Sequence, residues 1–409
     1  MSGPFRCLSC GSPHGRTVLD LGSQPLANNL LRPADLGKTE PRFPLRVAVC
    51  EACWLLQITE VVPPVELFSE YPYFSSFSDS FVRHARAAAE RYAREFALGP
   101  ASSVVEIASN DGCLLRNFIR LGVPCLGIEP AANVADVARA HGVETIADFF
   151  GGKLAERIAD EDGPADLILG NNVLAHAPDT NDFVAGLARL LRRGGRIVLE
   201  FPYAVDLVAQ TEFDTIYHEH VFYFTLTSLQ PLFARHALEI IHVEHLDIHG
   251  GSLRIFVGHP GDHARETSVG GFLAREAALG VGSIALYENF AAHVERVRHE
   301  LLALLARLRA GGKSIAAYGA SAKGSTLLNF LQPPAGTIEF IVDRSPHKQG
   351  ALSPGLHLPI LPPETLLARQ PDFALLLTWN FAGEIFDQQA EYRARGGRFI
   401  VPIPQVTIR

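Results

Sequence analysis

Val104-Val105-Glu106-Ile107-Ala108-Ser109-Asn110-Asp111-Gly112 is the stretch that decides the fold. A short apolar run rich in valine gives way to a turn of small and polar residues, and a helical pattern, Cys113 to Leu121, follows at once. Moving outward, Cys125 to Ile128 reads as a second strand, a third ends near Asp148-Phe149, and Ala165 to Gly170 and Arg196 to Phe201 read as a fourth and fifth, with helical stretches between. Strand alternating with helix in this rhythm predicts an α/β fold with a parallel, doubly wound sheet whose ligand lies at the carboxyl ends of the strands. Leu238 to Leu246 and Ser252 to Gly258 alternate as an antiparallel pair around His249-Gly250-Gly251, a tight-turn sequence at the sheet edge.

The first turn lacks the G-x-G-x-x-G pattern of dinucleotide sites. It offers Gly112 with Asn110 and Asp111, which is little to hold a pyrophosphate. Acids instead follow each of the first three strands. Glu129 is suited to two ribose hydroxyls, and Asp148, before Phe149, to an adenine amino group. Any one of them alone is as readily a solvated loop charge, but together they fit S-adenosylmethionine, which carries a sulfonium and an ammonium and no phosphate. The residues expected around this donor are Tyr73, Ser76, Glu106, Ala108, Asn110, Asp111, Gly112, Glu129, Pro130, Asp148, Phe149, Asn171 and Asn172.

With 409 residues, two or three domains are expected. A hydrophobic fraction of 47% against 20% charged residues describes a soluble globular chain. Net charge is −8 and no Lys/Arg block occurs, which argues against nucleic acid or acidic lipid as partner. No apolar run is long enough for a membrane helix and the N-terminus lacks a secretory core, so a cytoplasmic protein, monomeric or a simple homo-oligomer, is expected.

In that compartment cysteines read as thiols or metal ligands. Cys7-Leu8-Ser9-Cys10 and Cys50-Glu51-Ala52-Cys53 are two CxxC knuckles, closed by Gly11 and Trp54, and four thiolates make a structural Zn²⁺ site with no open position. Four unpaired thiols or two disulfides are the plainer alternative. A loop from Leu21 to Leu36 is expected between the knuckles. Glu70 to Ser76, with Tyr71, Tyr73 and Phe74, suits a loop lining a cleft or aromatics packed at a domain junction, and Ser80 to Phe96 reads as an amphipathic helix.

Two further stretches carry chemistry. Thr215 to Phe224 packs Tyr217, His218, Glu219, His220 and Tyr223 together after the fifth strand, and Asn171 to Pro178 after the fourth carries His176. His220 is read as a general base at a substrate carbon; a second metal site at His218-Glu219-His220 is the competing reading. Toward the C-terminus a helix from Ser283 to Leu308 leads to a second parallel sheet: Ser314 to Tyr318, Ile338 to Val342, Phe373 to Thr378 and Arg398 to Val401. Its first loop, Gly319 to Thr326 with Ser321 and Lys323, is suited to a phosphate or simply to capping its helix.

CxxC…CxxC, Tyr71-Pro72-Tyr73-Phe74-Ser75-Ser76, Glu106 to Gly112, Tyr217-His218-Glu219-His220 and His249-Gly250-Gly251-Ser252-Leu253-Arg254, in that order, resemble the zinc-containing sugar C-methyltransferases. The resemblance covers nearly the whole chain. It implies a zinc module at 1–75, an S-adenosylmethionine domain at 76–260 and a C-terminal α/β domain at 261–409. It also implies a dTDP- or GDP-linked 4-keto-deoxysugar as substrate, methylated by default at C3. Around the sugar it places His220 as base with Tyr217, Glu219, His176 and Tyr71, and His249, Tyr318, Ser321 and Lys323 as substrate contacts. An O- or N-methyltransferase, which needs no ketone, and a zinc scaffold with a vestigial donor fold are the rival functions.

Overall fold

The computed structural model describes residues 5–68, 74–77, 79–248 and 250–409, which build three sheets. At the N-terminus β1 (Gly15–Gln24), β2 (Phe43–Cys50) and β3 (Leu56–Ile58) form an antiparallel meander. The loop expected from Leu21 therefore starts later. Leu19 and Leu21 face the interior, and Ser23 and Gln24 still pair with Pro44 and Phe43.

The parallel strands of the central sheet are β4 (Val104–Ile107), β5 (Cys125–Ile128), β6 (Thr145–Ile146), β7 (Ala165–Asn171) and β8 (Leu191–Pro202). The chain then leaves this sheet: β9 (Phe222–Tyr223) adds to the free edge of β3. It returns as β10 (Glu239–Leu246) and β11 (Ser252–Gly258), giving the order β10-β11-β8-β7-β4-β5-β6 with β11 antiparallel between β8 and β10. All four residues of β4 are buried, as expected of a strand covered on both faces. From β4 the chain steps out to β6 and comes back to β7, so a crevice opens between β4 and β7 at their carboxyl ends.

The third sheet comprises β12 (Ile315–Tyr318), β13 (Ile341–Val342), β14 (Ile360–Leu361), β15 (Phe373–Leu376), β16 (Arg398–Val401) and β17 (Thr407–Ile408), ordered β14-β13-β12-β15-β16-β17. It repeats the doubly wound pattern, with β17 antiparallel at one edge. The helix Ile284–Ala310 buries Tyr287, Phe290, Val294, Val297, Leu301, Leu304 and Leu305, while Leu286 and Leu308 sit half-buried at its flanks. One hydrophobic cluster runs from Leu45 and Val47 through Ile107 and Leu199 to Ile315 and Leu375, so the three sheets share a core. Among the described residues no single helix is long and apolar enough to cross a membrane.

The turn after β4 is tightly determined. Ala108, Asn110 and Gly112 are all left-handed, and a Cβ on Gly112 would lie 2.6 Å from a methyl of Val143. Gly112→Ala is therefore expected to cost about 1–3 kcal/mol from backbone strain and overpacking. A lowered urea midpoint at unchanged m-value would show it; an unchanged midpoint would contradict it.

Candidate active site and metal centre

In the metal module, the Gly11 N–H donates to the Cys7 carbonyl at 2.9 Å and that of Trp54 to the Cys50 carbonyl at 2.8 Å. Gly11 and Trp54 both take positive φ, which turns each knuckle back so that its thiols point to one centre. The Sγ atoms of Cys7 and Cys53 are 3.6 Å apart, as are those of Cys10 and Cys50, and all four lie within 4.8 Å of one another. A tetrahedron of zinc–sulfur bonds of about 2.3 Å has edges of about 3.8 Å, so these thiols fit zinc. Among the described residues no other group of three or more His, Cys, Asp or Glu side chains is gathered this way, so His218-Glu219-His220 gains no support as a second metal site. Buried Gln57, on β3, ties the first knuckle to the sheet by accepting from the Leu8 N–H at 2.9 Å and donating to the Arg6 carbonyl at 3.2 Å.

The other edge of β3 carries the chemistry. Leu56 stands opposite Tyr223, Gln57 opposite Phe222, and the Ile58 N–H donates to the Val221 carbonyl at 2.9 Å. The metal-anchored sheet thus receives the end of the Thr215 to Phe224 segment. Asn28 Nδ2 donates to Glu219 Oε1 at 2.7 Å, and His218 packs edge-on to Phe43 with Nε2 3.3 Å from the Pro44 carbonyl. His218 and the Glu219 carboxylate therefore face the metal module, while Tyr217 and His220 face a cavity of about 640 Å³.

His220 is held in one orientation. Its Nδ1–H donates to the Thr215 carbonyl at 2.9 Å, which leaves Nε2 as the lone-pair nitrogen; the Tyr217 hydroxyl donates to it at 3.0 Å. His176 lies beside it, ring centroids 4.9 Å apart, and donates from Nδ1 to the Glu219 main-chain carbonyl at 2.7 Å. Glu219 thus orients a ring nitrogen through its backbone rather than its carboxylate. Burial lowers the His176 pKa against the pull of the Glu219 and Asn172 carbonyls, so its ring is neutral at neutral pH.

The same cavity runs along the carboxyl ends of the central sheet. Glu106, Ala108, Asn110, Glu129, Pro130, Asp148, Phe149, Asn171 and Asn172 line it together with His176, Tyr217 and His220. Glu129 accepts from the main-chain amides of Asn110 and Ala131, each at 2.9 Å. Glu106 is 4% exposed, and among the described residues no donor reaches its Oε2. A space of this size, lined by acids with a buried oxygen unsatisfied, fits a cationic donor. Three residues expected at the donor are not among those lining the cavity: Ser76, Asp111 and Gly112. Asp111 is fully buried and accepts from the Ser76 N–H at 3.2 Å, while the Ser75 N–H donates to Asn110 Oδ1 at 2.8 Å. They shape the turn that presents the donor-facing residues.

Of the C-terminal residues, Lys323 reaches the cavity. Its helix, Ala322–Leu331, packs on the turn Phe213–Thr215, and its Nζ lies 5.1 Å from the centre of the Trp379 ring. Trp379 Nε1 donates to Asp214 Oδ2 at 2.7 Å. Burial pushes Glu212 up to about 7 and Asp214 up to about 6, with the neighbouring Lys323 pulling both down. Ser321 and Tyr318 stand elsewhere, contrary to expectation. Ser321 caps the helix, accepting from the Gly324 N–H at 3.1 Å, and Tyr318 is a core residue packed edge-on to Phe399. Tyr71, Tyr73 and His249 lie outside the described residues. Sequence reasoning missed Asn28, Thr215, Asp179 and Asp182. Asn28 was visible only as a loop residue, and no side-chain pattern reveals that the main-chain carbonyl of Thr215 will orient the His220 ring.

Three family models match in sequence: a zinc-binding domain at 7–68, a methyltransferase domain at 81–243 and a C-methyltransferase C-terminal domain at 247–404. The C-methyltransferase NovU of Streptomyces niveus is 40% identical over 400 residues, covering 98% of this chain and 95% of NovU. The ubiquinone biosynthesis O-methyltransferase of Xanthomonas oryzae pv. oryzae strain PXO99A is 30% identical over 98 residues, 24% of this chain and 41% of that enzyme. Among solved structures, magnesium protoporphyrin IX methyltransferase from Synechocystis PCC 6803 with bound SAM shares 13% identity at a TM-score of 0.33, covering 44% of this chain and 81% of that one. The class is that of the S-adenosylmethionine-dependent methyltransferases acting at carbon. This chain belongs to the zinc-binding C-methyltransferase family that includes NovU.

Cys10→Ser is expected to release the zinc and lower the unfolding midpoint, because structural zinc binding is folding free energy. Metal analysis of the purified variant beside a thermal melt checks this; full zinc content at an unchanged midpoint would contradict it.

Proposed function

We propose that this cytoplasmic enzyme methylates C3 of a nucleotide-linked 4-keto-deoxysugar, with His220 as the base. The observation that carries the reading is the lone-pair Nε2 of His220, its tautomer set by the Thr215 carbonyl, in one cavity with the sheet-end acids and Lys323. Five acids, Glu106, Glu129, Asp148, Asp179 and Asp182, line that cavity, and Lys323 is the one lysine or arginine among its lining residues. A cationic donor at the sheet and an anionic acceptor reaching Lys323 suit that asymmetry.

A ketone at C4 acidifies the hydrogen on C3, yet its removal needs a positioned base and a donor for the developing oxyanion. His220 Nε2 takes the proton, the C–H electron pair passes into a C3–C4 double bond, and negative charge collects on the C4 oxygen. Nε2 has one lone pair, so it takes the C3 proton as the Tyr217 hydroxyl turns from it to the C4 oxygen, where that hydroxyl donates to the developing oxyanion. The Thr215 carbonyl stabilises the imidazolium through Nδ1–H. Neutral His176 keeps the Glu219 carbonyl, and with it the segment, in place. When bound, S-adenosylmethionine supplies an activated methyl group, so the remaining step is mainly positioning.

The test is incubation with S-adenosylmethionine and a panel of dTDP- and GDP-linked 4-keto-deoxysugars in D₂O, read by mass spectrometry. His220→Ala is expected to abolish both methyl gain and deuterium entry while donor binding survives; Tyr217→Phe should slow turnover by about 10–1000-fold. Exchange persisting in His220→Ala would overturn the base assignment, and methylation of the corresponding reduced sugars would favour an O-methyltransferase.

A further inference from the structure

We propose that Glu106 is a charge sensor for the methyl donor: its carboxyl group gives up a proton to solvent as the sulfonium arrives, so that one buried residue tells the cationic donor from its neutral demethylated product. This rests on the donor being S-adenosylmethionine and adds to it how donor and product are told apart.

Glu106 stands near the end of β4, beside the switch point, and lines the cavity. Acids face it from every side: Asp111 from the following turn, Glu129 from the end of β5 and Glu200 from β8, with the Cys113 and Cys125 thiols nearby. Each of those acids has its own compensation. Glu129 takes two amides, Asp111 takes the Ser76 N–H on Oδ2 although its Oδ1 is also buried without a partner among the described residues, and Glu200 is paired with Arg254 at 2.7 Å and His84 at 2.9 Å. Arg254 and His84 are thereby engaged by Glu200. Glu106 has no cation of its own, and its Oε2 is buried without a partner among the described residues.

Burial, reinforced by the three neighbouring acids, holds its carboxyl group well above the usual carboxylate range, which favours the protonated form in the free protein. Along the sheet Asp148 and Glu129 follow β6 and β5 in turn, and Glu106 lies near the end of β4. With adenine at the first and ribose at the second, the sulfonium falls to the third, the acid nearest Asn171, Asn172 and the His220 end. Donor and product carry the same ammonium and carboxylate and differ by the methyl group on sulfur and the positive charge that it confers.

The sign follows from linkage. The sulfonium favours ionised Glu106, so below the free-protein pKa donor affinity rises about tenfold per pH unit and levels off above it. A neutral thioether gives Glu106 no reason to ionise, so product affinity is flat over the same range.

Isothermal titration calorimetry of the full chain with S-adenosylmethionine and with S-adenosylhomocysteine, at pH 7 in buffers of different ionisation heat, counts the protons released. About one proton is expected for the donor and close to none for the product. Glu106→Gln, which mimics the protonated side chain, should abolish the release and narrow the preference for donor over product by about tenfold or more. Equal release with both ligands, or release that persists in Glu106→Gln, would overturn the proposal alone. Failure of both ligands to bind the native chain would overturn the donor assignment and the proposal with it. Should the variant not fold, the two-ligand comparison on the native chain decides.

Discussion

The short pairing of Leu56–Ile58 with Val221–Tyr223 is the interaction on which the active site depends. It joins a sheet fixed at one end by four cysteine thiols to the segment that carries Tyr217, Glu219 and His220. Isolated, a two-residue strand such as β9 has almost no stability of its own. Here it is the fourth strand of a metal-anchored sheet, further held by Asn28 on Glu219 and by the Pro44 carbonyl near His218. The zinc takes no part in the chemistry proposed above; its contribution is to make the backbone under His220 rigid, and in the proposed role of that residue a displacement of about 1 Å costs most.

The charges follow a simple layout. Acids cluster where the central strands end, and a lysine enters from the second α/β domain at the far side of the same cavity. Between them lie two histidines and a phenol whose hydrogen bonds run mostly to main-chain carbonyls, so their orientation is set by the fold rather than by other titratable groups. Lys323 carries two buried acids, Glu212 and Asp214, at its back, so its charge is partly balanced before any ligand arrives.

Much of this was legible in the sequence, for identifiable reasons. Strands buried on both faces announce themselves as continuous apolar runs, and β5, β11 and β16 fall where the residue pattern puts them. CxxC spacing is dictated by tetrahedral geometry, so the metal ligands could be named outright. The N-terminal meander was hidden because its strands are bulged and mostly polar on one side, with register shifts after Thr17 and Asp20. Long-range pairing hid the rest. That Glu219 would face Asn28 depends on a contact that no local window contains.

Proton removal from a carbon beside a ketone, ahead of methyl transfer, is the claim that ties His220, Tyr217 and the acceptor end together. Its most direct test uses the nucleotide-linked 4-keto-deoxysugar deuterated at C3, with nuclear magnetic resonance of the methylated product. The account predicts that the product carries its new methyl on C3 and that the C3 deuterium is gone. A methylated product that keeps its C3 deuterium would contradict it.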